Sequence, residues 1–210
     1  MTRAMMDFKL YLITDRKLFT DNDSFFRGIE EALKGGVKAV QLREKDLETR
    51  ELVDMAYRMR EVTNQYSAKL FINERVDVAL AVEADGVHLG VNGIPVKAAR
   101  KIDGNSLLIG VSAHSVAEAG AGFNEGADFI TAGPVYETAS KARYGRPVGL
   151  EVLSGIKKAV TIPVFAIGGI KTENISEVFG AGADGIALIS GILASPDIKT
   201  KSEEFMRLTK

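Results

Sequence analysis

The sequence predicts an α/β protein that folds as one (β/α)8 barrel domain over residues 1–210. Apolar runs of four to six residues recur along the chain, each followed by a stretch of helical periodicity, as expected for parallel strands buried on both faces. Four similar segments, about 45 to 55 residues apart, lead into every second strand and indicate a repeated double strand–helix unit. They begin at Gly36, Ala84, Gly126 and Gly182. Eight units joined in the same order favour a closed barrel over an open, doubly wound sheet.

The first four units each show a strand and a helix. The predicted strands cover residues 10–14, 39–43, 69–73 and 86–89. Asp23 and Ser24 are suited to cap the first helix, and Gly35 ends it. A long amphipathic helix reaching Val62 follows the second strand. A short helix over residues 76–82 follows the third strand, and a brief helix after Pro95 follows the fourth.

The last four units repeat the pattern. Their strands are predicted at residues 107–112, 129–132 and 164–167, with the eighth strand inside residues 183–191. Helices are predicted from Ser115 to about residue 123 and over residues 150–160, and residues 203–210 end the eighth helix. The polar loop over residues 133–149 exceeds the usual length of strand-to-helix connections, and loops of that kind are usually functional.

Composition limits the classes of function. With 210 residues and 46% hydrophobic content, the chain suits one globular core. Its 27 basic and 28 acidic residues give a net charge of -1, which argues against nucleic acid or an anionic membrane as partner. The absence of cysteine fits a reducing cytoplasm, and no apolar run approaches the roughly 20 residues of a membrane span. We therefore expect a cytoplasmic protein that acts on small molecules; association into a homo-oligomer is compatible with these features.

A phosphate site is predicted after the last two strands. Strand seven ends in Gly168-Gly169, and strand eight ends in the small residues Ser190 and Gly191. Backbone N–H groups that converge at such strand ends attract a phosphate, and this is the usual phosphate site of (β/α)8 barrels. An isolated Gly-Gly pair would indicate only a tight turn, but two consecutive strands with such ends favour the phosphate.

The second strand ends in Gln41, Arg43 and Lys45, which stand at alternate positions. Alternation sends these three side chains to one side and sends Leu42 and Glu44 to the other. Two cations and an amide at the barrel mouth suit a phosphate or a pyrophosphate. The alternative is a solvated charge cluster in which Glu44 neutralises one of the cations.

Strand three ends in Asn73, Glu74 and Arg75. A carboxylate beside an amide suits Mg²⁺, which commonly needs only one or two carboxylates besides substrate phosphates and water. Glu74 could equally pair with Arg75 or cap the third helix. Asp77 lies in the first helical turn, where a negative charge favours the helix dipole, and is interpreted as structural.

The two histidines lie in strand four and at the end of strand five. His88 is interpreted as a core histidine whose hydrogen bonds are satisfied. His114 follows Ser112 at the barrel mouth and titrates near neutral pH when unperturbed, which suits a general acid or base. Ser115 and Glu118 also form a helix-start pattern, so this segment could serve mainly as a cap.

The long loop carries Thr138, Ser140 and Lys141, which place two hydroxyl groups and an ammonium group within four residues. Hydroxyl donors and a cation are what a flexible lid over a phosphate would use. Arg143 and Arg146 lie on the same loop and either contribute there or are solvated.

Six segments, in this order and spacing, resemble the thiamine phosphate synthase and TenI family. Each motif is weak alone, but six in order are specific, and together they cover nearly the whole chain. The six segments are 41–45, 71–77, 84–90, 110–115, 133–141 and 166–170.

The resemblance implies a (β/α)8 barrel and a transferase that joins hydroxymethylpyrimidine diphosphate to a thiazole phosphate with Mg²⁺, releasing pyrophosphate. Cleavage of the carbon–oxygen bond leaves a pyrimidinylmethyl cation, which the thiazole nitrogen captures. By position, the residues that would meet the pyrimidine diphosphate are Gln41, Arg43, Lys45, Asn73 and Lys141, with Ser112 and Lys141 near the reacting groups. Those that would bind the thiazole phosphate are Thr138, Ser140, Gly169, Ile189 and Ser190.

The sequence departs from the synthase pattern at the metal. Glu74 stands where aspartate is usual, and Gly93 stands where a second carboxylate is expected, so Glu74 is the one predicted ligand of Mg²⁺. This departure points toward the TenI branch, which isomerises the thiazole phosphate without metal and would use His114 as acid or base. A binding protein for thiazole phosphate or thiamine phosphate, without catalysis, is a second alternative. The intact Gln41, Arg43 and Lys45 face favours the synthase.

Overall fold

The computed structural model describes residues 6–138 and 147–209. Its eight parallel strands are β1 (Leu10–Ile13), β2 (Ala39–Leu42), β3 (Lys69–Asn73), β4 (Gly86–Leu89), β5 (Leu108–Ala113), β6 (Phe129–Ala132), β7 (Val164–Ile167) and β8 (Gly185–Leu188). They pair in sequence order, and β8 pairs with β1 to close the sheet into a barrel. The predicted (β/α)8 barrel is therefore confirmed.

Helices follow the strands on the outside of the barrel. Within the described residues they are α1 (Asn22–Lys34), α2 (Thr49–Gln65), α3 (Val76–Ala81), α4 (Val96–Asp103), α5 (Val116–Asn124), α6 (Gly149–Ala159), α7 (Ile175–Gly180), α8 (Ser190–Leu193) and α9 (Ile198–Leu208), with a 3-10 helix at Arg16–Leu18 after β1. None of these helices is both long enough and apolar enough to span a bilayer.

The expected cap of α1 was wrong, whereas residues 203–208 do end the last helix, as predicted. The cap of α1 is Asp21, whose carboxylate accepts from the backbone N of Ser24 at 2.7 Å, while Asp23 lies inside the first turn. The eighth unit contains two helices, α8 and α9, because Pro196 and the capping residue Asp197 interrupt the helical stretch.

The strand boundaries differ from the prediction by about one residue, which is the usual uncertainty of such assignments. One of these differences affects the barrel mouth. Strand β2 ends at Leu42, so Arg43 and Lys45 lie on the loop beyond the last residue of the strand. The hydrogen bonds between the strands of the sheet therefore do not fix the positions of Arg43 and Lys45.

The barrel interior is filled by aromatic rings at the N-terminal end of the strands. Tyr11, Phe71, Phe129 and Phe165 are at most 1% exposed, and Phe8 covers them from below. Their ring centroids lie 5.2 to 6.3 Å apart with mostly edge-to-face geometry. Three strand glycines make room for the rings, since a Cβ on any of them would overlap a ring of a neighbouring strand: Gly86, Gly110 and Gly185. The rings therefore fill the N-terminal half of the barrel interior, and the polar pocket lies above them toward the C-terminal ends of the strands.

The second and larger apolar layer lies between the strands and the helices. The outward-facing strand residues, such as Val40, Ile72 and Ile130, pack against the buried faces of the helices, such as Ile29 of α1 and Met59 of α2. All five are fully buried. Because both faces of the sheet are covered, the strands are almost continuously apolar, which is the pattern that made them visible in the sequence.

The sequence repeat corresponds to a contact that recurs at the bottom of the barrel. Asp85, before β4, accepts the backbone N of Leu70 at 2.8 Å and the guanidinium of Arg60 at 2.6 Å. Asp128 and Asp184 make the same pair of contacts before β6 and β8, with backbone N atoms and with a cation of α4 or α6. Each aspartate clamp therefore ties the start of an even-numbered strand to the preceding odd-numbered strand and to the helix that comes before that odd-numbered strand.

The first quarter of the barrel lacks this clamp. Lys38 occupies the position before β2 that aspartate holds in the other three quarters, and its ammonium donates to the carbonyl oxygen of Tyr66 at 3.0 Å. The four quarters are thus equivalent in topology but not in their bottom contacts.

Candidate functional site

Two adjacent cavities open at the C-terminal ends of the strands, where (β/α)8 barrels carry their active sites. The first, here called the polar pocket, encloses about 330 Å³ and is lined by side chains of β2 to β6 and their loops, among them Gln41, Arg43, Asn73 and Ser112. The second, here called the glycine pocket, encloses about 400 Å³ and is lined by residues 137–138, 167–171 and 187–191 together with Ala194. Ile167 and Ile189 line both pockets and form their common wall.

The floor of the polar pocket is a buried layer of hydrogen-bonded side chains. Gln41 is 1% exposed and donates from Nε2 to the hydroxyl of Tyr11 at 3.0 Å. Burial raises the pKa of Tyr11 well above its ordinary value, so the phenol stays neutral. This hydrogen bond fixes the orientation of the Gln41 carboxamide: Nε2 faces Tyr11, and the carboxamide oxygen faces away from Tyr11.

His88 completes the floor. Its Nε2 lies 3.1 Å from the hydroxyl of Ser112 and 3.2 Å from that of Thr131. His88 is 3% exposed, as expected for a core histidine, but it also lines the polar pocket. The three side chains come from consecutive strands, β4, β5 and β6, and their mutual bonds hold the Ser112 hydroxyl at the cavity surface.

The rim of the polar pocket is charged. Within the described residues, the guanidinium of Arg43 has no ion-pair or hydrogen-bond partner, although it lines the cavity. The ammonium of Lys45 lies 3.5 Å from a carboxylate oxygen of Glu74. A cation without a protein partner at the mouth of a cavity is suited to bind an anion.

Glu74 is held toward the pocket by an unusual backbone conformation. Its φ of 62° lies in the left-handed region, and its N–H donates to the carbonyl of His88 at 2.8 Å. Gly90 faces the carboxylate closely, since a Cβ there would lie 2.7 Å from Oε1 of Glu74. The alternatives for Glu74 were wrong: Arg75 pairs with Asp77 at 2.6 Å, and Glu74 does not cap α3.

The rim of the polar pocket offers one carboxylate, that of Glu74, to a metal ion. No group of three or more His, Cys, Asp or Glu side chains that could hold a metal exists among the described residues. Gly93 lies near Glu74, because a Cβ on it would be 3.8 Å from Cγ of Glu74. The donor set of Glu74 and Asn73 fits Mg²⁺ only if substrate phosphates and water complete the coordination.

His114 has a structural contact at each end. Its backbone N donates to the carboxylate of Glu118 at 2.6 Å, and Ser115 caps α5, so the expected cap is present. Its ring Nδ1 is hydrogen-bonded to the carbonyl of Gly133. Because a carbonyl oxygen only accepts, Nδ1 carries the hydrogen, and Nε2 is the acceptor of the neutral ring. The ring lines the polar pocket, so its position is compatible with proton transfer as well.

Glu44 does not neutralise Arg43 or Lys45. Its buried carboxylate accepts the hydroxyl of Thr14 at 2.6 Å and lies 3.8 Å from Nε of Arg16. The expectation of a solvated cluster balanced by Glu44 is therefore wrong. The two pocket cations keep their charge for a ligand or for Glu74.

The glycine pocket is built mainly from backbone. Gly168 and Gly169 have φ values of 95° and 67°, and a Cβ on Gly169 would lie 2.7 Å from the carbonyl oxygen of Glu137. The backbone N–H groups of Gly169, Ser190 and Gly191 donate to no acceptor within residues 6–138 and 147–209. Exposed N–H groups at the ends of neighbouring strands form an anion site.

The start of the long loop packs against the same strand end. Val135 N and Tyr136 N donate to the carbonyls of Ile167 and Gly168 at 2.8 and 3.0 Å, and the hydroxyl of Tyr136 donates to Glu177 at 3.0 Å. Thr138 therefore reaches the glycine pocket. Ser140, Lys141, Arg143 and Arg146 lie outside the described residues, so the structure does not place them.

Three site residues escaped the sequence analysis. Tyr11 and Thr131 are buried strand residues that carry polar groups within apolar runs. Thr14 follows β1 and holds the backbone N of Arg43 at 2.9 Å. A polar residue within or just after a buried strand was the available signal.

The structure is a (β/α)8 barrel with two adjacent pockets at its mouth. The family model described as thiamine monophosphate synthase matches residues 10–192. The chain belongs to this family.

Individual relatives agree with the family. A Geobacter sulfurreducens protein, named provisionally as a thiamine-phosphate synthase, is 52% identical over 98% of this chain and 96% of its own. The thiamine-phosphate synthase of Clostridium acetobutylicum is 44% identical over the same shares of the two chains. The structure of the thiamine phosphate pyrophosphorylase from Pyrococcus furiosus superposes with a TM-score of 0.86 at 42% identity, covering 96% of this chain and 95% of that one.

Proposed function

We propose that this protein couples hydroxymethylpyrimidine diphosphate to thiazole phosphate and releases pyrophosphate, giving thiamine phosphate. The observation that carries the proposal is the pair of pockets with a common wall at Ile167 and Ile189, one lined by the side-chain cations Arg43 and Lys45 and the other by backbone N–H groups without an acceptor in the described residues. Two phosphorylated substrates that must meet need two adjacent anion sites. The names of the relatives support the same reaction.

The polar pocket would bind the diphosphate. In the reaction, the bond between the pyrimidine methylene carbon and the diphosphate oxygen breaks, and the electron pair leaves with pyrophosphate. Arg43, Lys45 and the amide of Asn73 would stabilise the negative charge that grows on the departing oxygens. Lys141 would add a second ammonium from the loop.

The floor of the pocket would orient the pyrimidine ring. The carboxamide oxygen of Gln41, fixed by Tyr11, is an acceptor for an amino group of the ring. Ser112, fixed by His88, would lie near the reacting carbon. Because the floor is buried, the pyrimidinylmethyl cation would be shielded from water until the thiazole nitrogen forms the new carbon–nitrogen bond.

Mg²⁺ would be held by Glu74 together with diphosphate oxygens and water, beside Asn73. When bound, it would neutralise charge on the diphosphate and thereby favour departure of pyrophosphate. The chain supplies one carboxylate for this purpose, since Gly93 carries no side chain.

The glycine pocket would bind the phosphate of the thiazole substrate. The amides of Gly169 and Ser190 would donate to the phosphate oxygens, and the hydroxyl of Thr138 would add a further donor. Ile189, in the common wall, would separate the two anions while leaving the thiazole ring toward the polar pocket.

The test is a direct assay of both candidate activities. Purified protein is mixed with hydroxymethylpyrimidine diphosphate and both thiazole phosphate tautomers, with Mg²⁺ or with chelator, and thiamine phosphate is followed by chromatography. We expect thiamine phosphate that forms only with Mg²⁺. Normal turnover in metal-free buffer would contradict the role of Glu74. Interconversion of the tautomers without thiamine phosphate would replace the proposal by an isomerase in which His114 moves the proton.

A further inference from the structure

Glu44 is a buried carboxylate to which the proposed reaction gives no task. Its side chain is 2% exposed, although its chain neighbours Arg43 and Lys45 both line the polar pocket. Besides the Thr14 hydroxyl, its two oxygens accept the backbone N of Arg16 at 3.1 and 3.2 Å. The carboxylate thus joins the loop after β1 to the loop after β2.

A hydroxyl connects Glu44 directly to the backbone of Arg43. Oγ1 of Thr14 donates to Glu44 at 2.6 Å and accepts the backbone N of Arg43 at 2.9 Å. Both hydrogen-bonding functions of the hydroxyl are therefore used, which fixes its direction. Through these two hydrogen bonds, the Glu44 carboxylate fixes the position of the Arg43 backbone.

A second contact holds the far side of the same segment. Asp46 accepts the guanidinium of Arg16 at 2.8 Å and the ammonium of Lys17 at 3.2 Å. Residues 14–17 therefore hold residues 43–46 at both ends: Arg43 is attached through its own backbone N, and Lys45 lies between the attached residues Glu44 and Asp46. Since β2 ends at Leu42, these contacts replace the ladder of the sheet as the support of the two cations.

We propose that Glu44, acting through Thr14 and Arg16, is a positioning residue that holds Arg43 and Lys45 in the geometry that binds the diphosphate. This inference rests on the proposed function, in which Arg43 and Lys45 meet the pyrimidine diphosphate. Glu44 itself touches no substrate.

A role in stability alone does not explain the choice of a carboxylate. Burial raises the pKa of Glu44 above its ordinary value, and the nearby carboxylate of Asp15 adds to the rise, despite the hydrogen bonds from Thr14 and Arg16 that lower it. The charged form is therefore disfavoured by its surroundings. An apolar residue of similar size would serve packing better at such a position.

The experiment compares Glu44→Gln with a buried carboxylate far from the site. Asp103, at the end of α4 beside the start of β5 and so at the other end of the barrel from the pockets, has a fully buried side chain that pairs with Arg100 at 3.2 Å, so Asp103→Asn is the matched control. Michaelis constants are measured for both substrates, the affinity for inorganic pyrophosphate is measured by calorimetry, and the Tm is recorded for each variant.

We expect Glu44→Gln to raise the KM for the pyrimidine diphosphate and the Kd for pyrophosphate about tenfold, the effect of one lost charge-assisted hydrogen bond. The KM for thiazole phosphate should stay unchanged. Asp103→Asn should change the Tm without separating the two Michaelis constants.

Thr14 supplies a second and independent test. Thr14→Val removes the hydroxyl between Glu44 and Arg43 and should raise the same two constants, whereas Thr14→Ser keeps the hydroxyl and should restore them. Equal changes in both Michaelis constants, or a change in Tm alone, would overturn the inference. Failure of the wild-type protein to bind pyrophosphate or form thiamine phosphate would instead refute the proposed function.

Discussion

The polar pocket and the glycine pocket lie side by side, yet they present opposite kinds of binding group. The polar pocket uses long charged side chains, Arg43 and Lys45, that are supported from a neighbouring loop. The glycine pocket uses amides of the main chain, whose directions are set by the strand ends themselves. Side chains can follow a group that departs during a reaction, whereas fixed amides suit a group that only has to be held. The difference favours the proposal that the reaction takes place in the polar pocket and that the glycine pocket anchors the second substrate.

Removal of Arg43 should have the largest effect. We expect Arg43→Ala to reduce kcat/KM about 100-fold, or about 2.7 kcal/mol, because a charge that stabilises the leaving group is lost. Arg43→Lys should recover part of this loss, since it keeps the charge without the two-pronged geometry. Arg27→Ala, on the exposed surface of α1, is the control and should leave steady-state kinetics unchanged. Equal activity of Arg43→Ala and wild type would show that Arg43 of the polar pocket takes no part in the reaction.

The glycine pocket is tested by a substitution that adds a Cβ. Gly169→Ala places a Cβ 2.6 Å from Cβ of Tyr136 at a φ of 67°. We expect it to raise the KM for thiazole phosphate about tenfold and to lower stability by about 1–3 kcal/mol. Gly120→Ala is the matched control, because its Cβ would meet no atom within 4 Å and should stabilise α5 by about 0.5–1 kcal/mol. A rise in the KM for the pyrimidine diphosphate instead would reverse the assignment of the pockets.

Glu74 is the carboxylate that lines the polar pocket, so the proposed Mg²⁺ site can be tested by adding a second one. Gly93→Asp would add a carboxylate near Glu74, at the modest cost of a Cβ 3.1 Å from the carbonyl of Gly90. We expect the Mg²⁺ concentration for half-maximal rate to fall about tenfold, because a second carboxylate strengthens Mg²⁺ binding. Gly93→Asn has nearly the same shape without the charge and should not produce this shift. No difference between the two variants in a Mg²⁺ titration would place the metal elsewhere.

The smallest expected effect is the pH dependence that Glu44 gives to the free energy of unfolding. The folded-state pKa of Glu44 is raised above its unfolded value, so the folded protein binds the proton more tightly. The contribution of Glu44 to the free energy of unfolding is then greatest below the unfolded pKa and is lost as the pH rises through the folded one. Denaturant unfolding of wild type and Glu44→Gln between pH 4.5 and 7 should show wild type gaining relative stability toward the acid end. A constant difference would mean that the environment of Glu44 does not favour its neutral form.

The fold was predictable because each strand is buried on both faces. Apolar runs such as Val164–Ile167 are then bounded sharply by glycine and polar residues. The split between α8 and α9 was also encoded, in the sequence of Ser195, Pro196 and Asp197, but a short helix inside a long connection gives no periodicity to detect.

The site was predictable where it depends on position along one strand. Gln41 lies in β2, and Arg43 and Lys45 follow at alternate positions, so the sequence alone indicates that the three line one pocket. The partners of Glu44 could not be found this way, since Thr14 lies 30 residues earlier and its contact exists only after the barrel closes. The left-handed conformation of Glu74 was equally hidden, because nothing in its side chain requires a positive φ.

The aspartate clamps at the bottom of the barrel bear on the ancestry of the molecule. Asp85, Asp128 and Asp184 hold equivalent positions in three quarters, while Lys38 holds the fourth. Duplication and fusion of one ancestral quarter would leave such a pattern, with the clamp eroded in a single copy. The two pockets lie at the other end of the strands, so the repeat is visible at the end of the barrel that is away from them.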